Sequence, residues 1–233
     1  MHRTDIPRTV LDTVLNRRGR RFAYDAIDPA KTALVVVDMQ KYFMAEPWMG
    51  ACPIAQEIVP NVNRLAARLR DRGGCVVWIQ TEATAESRES WANLRALYSD
   101  VAATRRWKEL ARESDGFALW EGLDVESGDE RVIKTRYSAF VPGSSDLDRV
   151  LRARGIDTIV ITGVATNVCC ESTGRDGMMM GYRTILVADG NATATDEEHL
   201  ATLRTFLSYF GDVQSADEVL AHLDRGDASA AAE

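Results

Sequence analysis

The chain has 233 residues, of which 45% are hydrophobic, enough for one large α/β core and tight for two domains. Its formal net charge of -7 argues against a nucleic-acid or anionic-membrane surface. Four cysteines (Cys52, Cys75, Cys169, Cys170) without a CxxC pair, and three histidines (His2, His199, His222) without ligand spacing, argue against a zinc site and a disulfide oxidoreductase.

Residues 1 to about 30 carry Arg3, Arg8, Arg17, Arg18, Arg20 and Arg21 and read as an N-terminal arm with a short helix over 9–16. No apolar run of signal-peptide length follows them, and the apolar run 33–37 is far too short for a membrane span. A soluble cytoplasmic protein with reduced thiols is therefore expected. The run 32–38 (TALVVVD) lacks alternation, as in a parallel strand buried on both faces. Across 53–72, Ile54, Ile58, Val62, Leu65 and Leu69 recur at helical spacing until Gly73-Gly74. Residues 75–80 (CVVWIQ) form the next strand, giving a βαβ unit with a right-handed crossover.

Residues 82–121 are less regular and hold Trp91, Trp107 and Trp120, with a short helix over 104–112. An insertion of this length in a compact domain is expected to act as a lid or an interface. A short strand over 132–134 follows, then a helix over 145–154 capped by Ser144 or Ser145 and stopped by Gly155. The pattern continues with a buried strand 157–163, a helix 167–181, a strand 183–189 and a helix 196–210. A short strand near 212–213, a helix over 216–223 and a frayed Ala/Asp/Gly-rich tail over 224–233 close the chain. This alternation predicts one domain, residues 31–223, with a doubly wound, mainly parallel six-stranded sheet and helices on both faces.

In such a sheet ligands bind beyond the carboxyl ends of the strands. Asp38 and Lys134 end two strands, and Cys169 opens the helix after a third. Singly, each has a plain role as a turn cap, a solvated cation or a packed thiol. Together they are chemically complementary. A thiolate is the nucleophilic form of cysteine, and a helix N-terminus and a nearby ammonium both favour it. No histidine is plausibly placed to take the thiol proton, so Asp38 is the candidate base. Backbone N–H groups at the turn into the helix are candidate oxyanion donors, with Gly163 permitting tight geometry.

Four segments carry a resemblance: TALVVVDMQKYF (32–43), VIKTRYSAF (132–140), ITGVATNVCCESTGRDGMMMGY (161–182) and TILVADGNAT (184–193). They resemble the isochorismatase-like cysteine hydrolases, which include nicotinamidases, N-carbamoylsarcosine amidohydrolases and ureidoacrylate amidohydrolases. The resemblance covers about residues 30–223. It implies the family's three-layer sandwich and an Asp-Lys-Cys triad matched by Asp38, Lys134 and Cys169. It implies a cis peptide at Val164–Ala165 and an oxyanion hole from the N–H groups of Ala165 and Cys169. The implied activity is hydrolysis of a small-molecule C–N amide or ureido bond through a Cys169 thioester, with no metal or other cofactor, in a homo-oligomer (dimer or tetramer).

KxRYSAF and GVATNVCCESTGRDG look closest to the ureidoacrylate amidohydrolases. Relatives often have Asp-x-Gln-Asn-Asp-Phe where this chain has Asp38-Met39-Gln40-Lys41-Tyr42-Phe43. The Asp-and-His metal cluster of nicotinamidases has no match, and the aromatic and amide residues expected after the second strand are absent from Gln80-Thr81-Glu82-Ala83. True isochorismatases lack the cysteine, so Cys169 favours amide over vinyl-ether chemistry. Gln40, Phe43, Tyr137 and Trp91 are the expected substrate-binding residues, Tyr137 as a hydrogen-bond donor to a carbonyl or ureido group and Trp91 in the lid. Arg136 reads as a carboxylate ligand or as half of a surface ion pair. Cys170 and Met178-Met179-Met180 read as packing. A non-catalytic binding or assembly protein on this fold, and a hydrolase of a larger amide, remain alternative readings.

Overall fold

A computed structural model describes residues 1–230. Thr32–Val37 (β1) is buried at every position, as an uninterrupted β-branched run requires of a strand covered on both faces. Its side chains divide by parity. Ala33, Val35 and Val37 enter one core cluster, and Leu34 and Val36 enter the other. Cys75–Thr81 (β2), Glu130–Lys134 (β3), Thr158–Val164 (β4), Arg183–Ala192 (β5) and Asp212–Gln214 (β6) complete one sheet in the order β3-β2-β1-β4-β5-β6. Every pairing is parallel.

The helices, in chain order, are Arg8–Arg18 (α1), Lys41–Met44 (α2), Val59–Asp71 (α3), Ala85–Ser90 (α4), Ala92–Arg95 (α5), Asp100–Glu109 (α6), Leu147–Ala153 (α7), Glu171–Met179 (α8), Asp196–Tyr209 (α9) and Ala216–Ala230 (α10). Helices α3 and α10 cover one sheet face through Val62, Leu65, Leu69, Val219 and Leu223. Helices α1, α7 and α9 cover the other through Val14, Leu147, Leu151, Leu203 and Phe206. The result is the expected three-layer sandwich.

Several boundaries differ from the sequence reading, for local reasons. The periodic stretch 53–72 splits into a 3-10 segment, Pro53–Ile58, and α3, because Pro60 lacks the N–H that a continuous helix would need. In the insertion, α6 begins before the expected 104, where the Ser99 hydroxyl caps Ala102 N at 3.2 Å. Strand β5 runs past Asp189 because a register shift after Ile161 lets Gly163 and Val164 pair with Asn191 and Ala192. Asn191 Nδ2 donates to Ile161 O (2.9 Å) and Val187 O (2.7 Å) across that irregularity. Asp189 accepts from Ala216 N at 2.7 Å and so serves the start of α10. Helix α10 continues to Ala230, through much of the expected tail, and residues 231–233 lie outside the described residues. Among the described residues no helix is long and apolar enough to cross a membrane.

Candidate active site

The strand order reverses at β1, with β2 and β3 on one side and β4 to β6 on the other. The crevice between the carboxyl ends of β1 and β4 is therefore the place where this topology accommodates a ligand. Asp38 leaves β1 with φ 53, a left-handed conformation that aspartate tolerates better than branched residues do. Its N–H donates to Ile79 O at 3.0 Å. The β2–β3 register sets Thr81 opposite Lys134. Three strand ends thus converge on one cation.

The Lys134 ammonium lies 2.7 Å from Asp38 Oδ2, and both side chains are 0% exposed. It also donates to Thr81 Oγ1 (2.6 Å), Arg136 O (3.1 Å) and Cys169 Sγ (3.5 Å). Thr81 passes a hydrogen bond on to Asp38 Oδ1 at 2.9 Å. The carboxylate is thus held at one oxygen by a hydroxyl and at the other by an ammonium, an arrangement that fixes its orientation. Burial opposes charge on Lys134, but the Asp38 carboxylate and Cys169 outweigh it and raise the ammonium's pKa.

Cys169 reaches this pair through the turn after β4. At Gly163, φ is 118 and an added Cβ would lie 2.1 Å from Val37 O, so only glycine fits against β1. The Val164–Ala165 peptide is cis, as the resemblance implied. Ala165 O accepts from Val168 N (3.1 Å) and Cys170 N (3.2 Å), which curls the chain through a π-helical turn, Thr166–Cys170, into α8. The turn is braced from behind. Thr166 Oγ1 meets His199 Nδ1 at 2.9 Å, and Thr193 Oγ1 donates to Asn167 Oδ1 at 2.6 Å. His2 stacks on His199 with ring centroids 4.7 Å apart, so the N-terminal arm packs onto the domain beside this turn.

One electrostatic expectation is corrected. Burial pushes the Cys169 thiol up to about 12; Lys134 pulls it down, but the Asp38 carboxylate pushes it up again. Desolvation outweighs both the ammonium and the helix N-terminus, so the resting group is a thiol, not the thiolate expected from sequence.

The expected substrate-binding residues divide. Gln40 is a strut: Nε2 donates to Thr81 O and Phe117 O (3.0 Å each), and Oε1 accepts from Thr81 N (2.7 Å). Its buried amide ties β2 to the insertion. Phe43 packs edge-on against Tyr42 and joins the α3-side cluster, whereas Cys169 and Tyr137 belong to the opposite one. Tyr137 and Trp91 meet edge-on, ring centroids 4.9 Å apart, with Tyr137 close enough for Cys169 to affect its ionisation. Among the described residues Arg136 forms no ion pair. It lies 5.1 Å over the Trp91 ring and donates to Ser90 Oγ (2.8 Å) and Thr135 O (3.0 Å). Cys170 is buried in the core, as expected, whereas Met178, Met179 and Met180 are all exposed because they end α8 at the surface. Thr81 and His199 escaped the sequence reading. Thr81 looks like any strand-end threonine, and His199 is far along the chain from the turn it braces.

Among the described residues no group of three His, Cys, Asp or Glu side chains is placed to hold a metal ion. The isochorismatase domain family matches residues 32–218. The chain is 35% identical over 231 residues to a ureidoacrylate amidohydrolase of Methylobacterium radiotolerans, covering 88% of this chain and 85% of that one. It is similar in structure to a cysteine hydrolase of Pseudomonas syringae pv. phaseolicola 1448A, with TM-score 0.73, 31% identity and coverage of 86% and 95%. It is also similar to an N-carbamoylsarcosine amidase of Thermoplasma acidophilum, with TM-score 0.64, 27% identity and coverage of 80% and 97%.

Proposed function

Because this chain belongs to the isochorismatase family, we propose that it is a cysteine amidohydrolase that cleaves a C–N amide or ureido bond of a small molecule. The observation that carries the reading is the convergence of Asp38, Lys134 and Cys169 on one buried point, with Lys134 Nζ 2.7 Å from the carboxylate and 3.5 Å from the sulfur. A nucleophile, a base and a cation that steadies both are thereby joined. The ureidoacrylate amidohydrolase and N-carbamoylsarcosine amidase similarities support a ureido or carbamoyl substrate.

The chemistry follows from the protonation states. Asp38 removes the Cys169 proton as the sulfur attacks the carbonyl carbon, which avoids a free thiolate in a buried site. The Ala165 and Cys169 amides hold the oxyanion. As the tetrahedral intermediate collapses, the C–N bond breaks and Asp38 returns its proton to the leaving nitrogen, leaving a thioester on Cys169. Water, deprotonated by Asp38, then attacks the thioester and releases the acid; a carbamoyl group leaves as carbamate and decomposes to carbon dioxide and ammonia. Lys134 stays an ammonium throughout and stabilises the anionic steps.

The test is ammonia release from ureidoacrylate, N-carbamoyl amino acids, biuret, maleamate and nicotinamide, with Cys169→Ala beside the wild type. The expected result is ammonia with wild type alone, and a covalent mass increment on Cys169 when the reaction is quenched early. Turnover that survives in Cys169→Ala overturns the mechanism, and a wild type inert toward small amides favours a binding role or a larger amide.

A further inference from the structure

The start of the N-terminal arm is tied down by a polar residue. Of the described residues 1–13 only His2 is buried, and its neighbours Arg3, Thr4 and Asp5 are exposed. An apolar side chain would tether such an arm by burial alone. A histidine is the more demanding choice, because both ring nitrogens need partners once water is excluded. Both have them. Nδ1 lies 2.8 Å from Asp196 Oδ1, and Nε2 lies 2.9 Å from Thr193 O and 3.1 Å from Thr193 N. The Thr193 backbone thus offers Nε2 an acceptor and a donor, so the ring is held in either protonation state.

From His2 two routes lead to the turn that carries Cys169. On the first, the His2 and His199 rings stack with an interplanar angle of 19°, and His199 Nδ1 shares a hydrogen bond of 2.9 Å with Thr166 Oγ1, in the first residue of the π-helical turn. Burial and His2 lower the His199 pKa to about 4, so near neutral pH this ring acts through its hydrogen bond and not through charge. On the second, the hydroxyl of the same Thr193 whose backbone meets His2 donates to Asn167 Oδ1 at 2.6 Å, in the next residue of the turn. Thr193 O also accepts from Cys52 Sγ at 3.1 Å, which fixes Thr193 from a further side. His2, His199, Thr166 and Thr193 are all buried.

We propose that His2 is a positioning residue: docked among Thr193, Asp196 and His199, it holds the turn 165–170 in place and with it the Cys169 sulfur and the amides of Ala165 and Cys169. Its effect on rate rests on the amidohydrolase reading above; its effect on the turn does not. A π-helical turn is a rare and locally weak element, and here Ala165 O is shared between Val168 N (3.1 Å) and Cys170 N (3.2 Å). Support from outside therefore decides how sharply its atoms are placed. A nucleophile and oxyanion donors displaced by about 1 Å lose about 100-fold in rate, so a brace that limits smaller excursions has a measurable effect. The arm thus reaches the reacting groups from behind, without touching a substrate.

Hydrogen exchange followed by mass spectrometry needs no substrate and reads the turn directly. The full-length variants His2→Ala, Thr166→Val and their combination are compared with wild type. Arg17→Ala serves as the control, since it loosens the arm at the end of α1, where Arg17 donates to Ser208 O. In His2→Ala the amides of residues 165–170 are expected to exchange about 10-fold faster, while those of β1 keep their wild-type rates. The combined variant is expected to exchange more slowly than the product of the single effects, because both changes cut one chain of contacts. Arg17→Ala is expected to leave the turn as in wild type. On an amide that the wild type hydrolyses, His2→Ala is expected to lower kcat about 10-fold with KM little changed. Faster exchange confined to the arm, equal loosening of the turn in Arg17→Ala, fully independent effects in the combined variant, or a loosened turn with kcat unmoved overturns the proposal. A wild type that releases no ammonia from any amide counts against the amidohydrolase reading alone, and exchange still decides whether His2 holds the turn.

Discussion

Replacing Lys134 with methionine leaves the Asp38 carboxylate 0% exposed and without the ammonium now 2.7 Å away. Methionine fills similar space, so the loss is mainly electrostatic. Breaking a buried pair by removing one partner costs about 3–5 kcal/mol, far more than a surface pair would. With a urea slope of about 3 kcal/mol/M for a chain of this size, the midpoint should fall by roughly 1 M or slightly more. The penalty has a pH signature. A buried, unpaired carboxylate has its folded-state pKa raised above the unfolded value of about 3.9. Between those two values the folded variant binds a proton that the unfolded chain does not, so the variant regains stability relative to wild type as pH falls. Urea unfolding of both proteins from about pH 8 to about pH 5 should therefore show the deficit shrinking on acidification. The double variant Asp38→Asn/Lys134→Met, which buries no charge, should recover more than half of the loss while staying inactive. A deficit that is the same at every pH, or a double variant no more stable than Lys134→Met, would refute the view that an uncompensated charge is the cause.

Thr81→Val removes the hydroxyl between Lys134 Nζ and Asp38 Oδ1; kcat should fall about 10-fold or more with KM little changed, since the hydroxyl orients the base. A rise in KM at constant kcat in steady-state assays would count against that role. Gly163→Ala places a Cβ 2.1 Å from Val37 O at φ 118, between two paired central strands, and should lower the melting temperature by roughly 10 °C or prevent folding; a change within about 2 °C would contradict the packing argument. His199 has its pKa lowered to about 4 by burial and by His2. Below its unfolded value of 6.5 the unfolded chain binds a proton that the folded one refuses, so its contribution, about 3 kcal/mol in all, is present above pH 6.5 and lost as pH falls toward 4. Urea midpoints should fall from about pH 7 to about pH 5, with a shallower slope in His199→Gln; equal slopes would remove His199 as the source.

The fold was legible because its strands are of the kind that sequence marks most clearly. The runs 32–37 and 158–163 are buried on both faces, so neither interrupts its apolar character. Amphipathic helices and their glycine stops fall between them. The glycine before the β4 turn, the strand-end acid and lysine, and the cysteine after the turn each occupy a position that the doubly wound topology carries to one edge of the sheet. Asp38, Lys134 and Cys169 could therefore be named from their places at strand ends and from the family motifs.

What the sequence by itself determined was this periodicity and the identity of the residues at the strand ends, because both are local: burial pattern and turn chemistry are written in neighbouring positions. Only the tertiary structure decided how those residues are used. Thr81 became a bridge because β2 and β3 pair in a register that opposes it to Lys134. Gln40 became a strut because Thr81 and Phe117 surround its amide. The Cys169 thiol keeps its proton because layers distant in sequence exclude water from it, and desolvation depends on everything around a group rather than on its neighbours in the chain. The insertion lies against the chain that follows β1 because Gln40 and Lys41 hold it through Phe117 and Asp115. Such placements depend on contacts among segments far apart in the chain, and no local pattern encodes them.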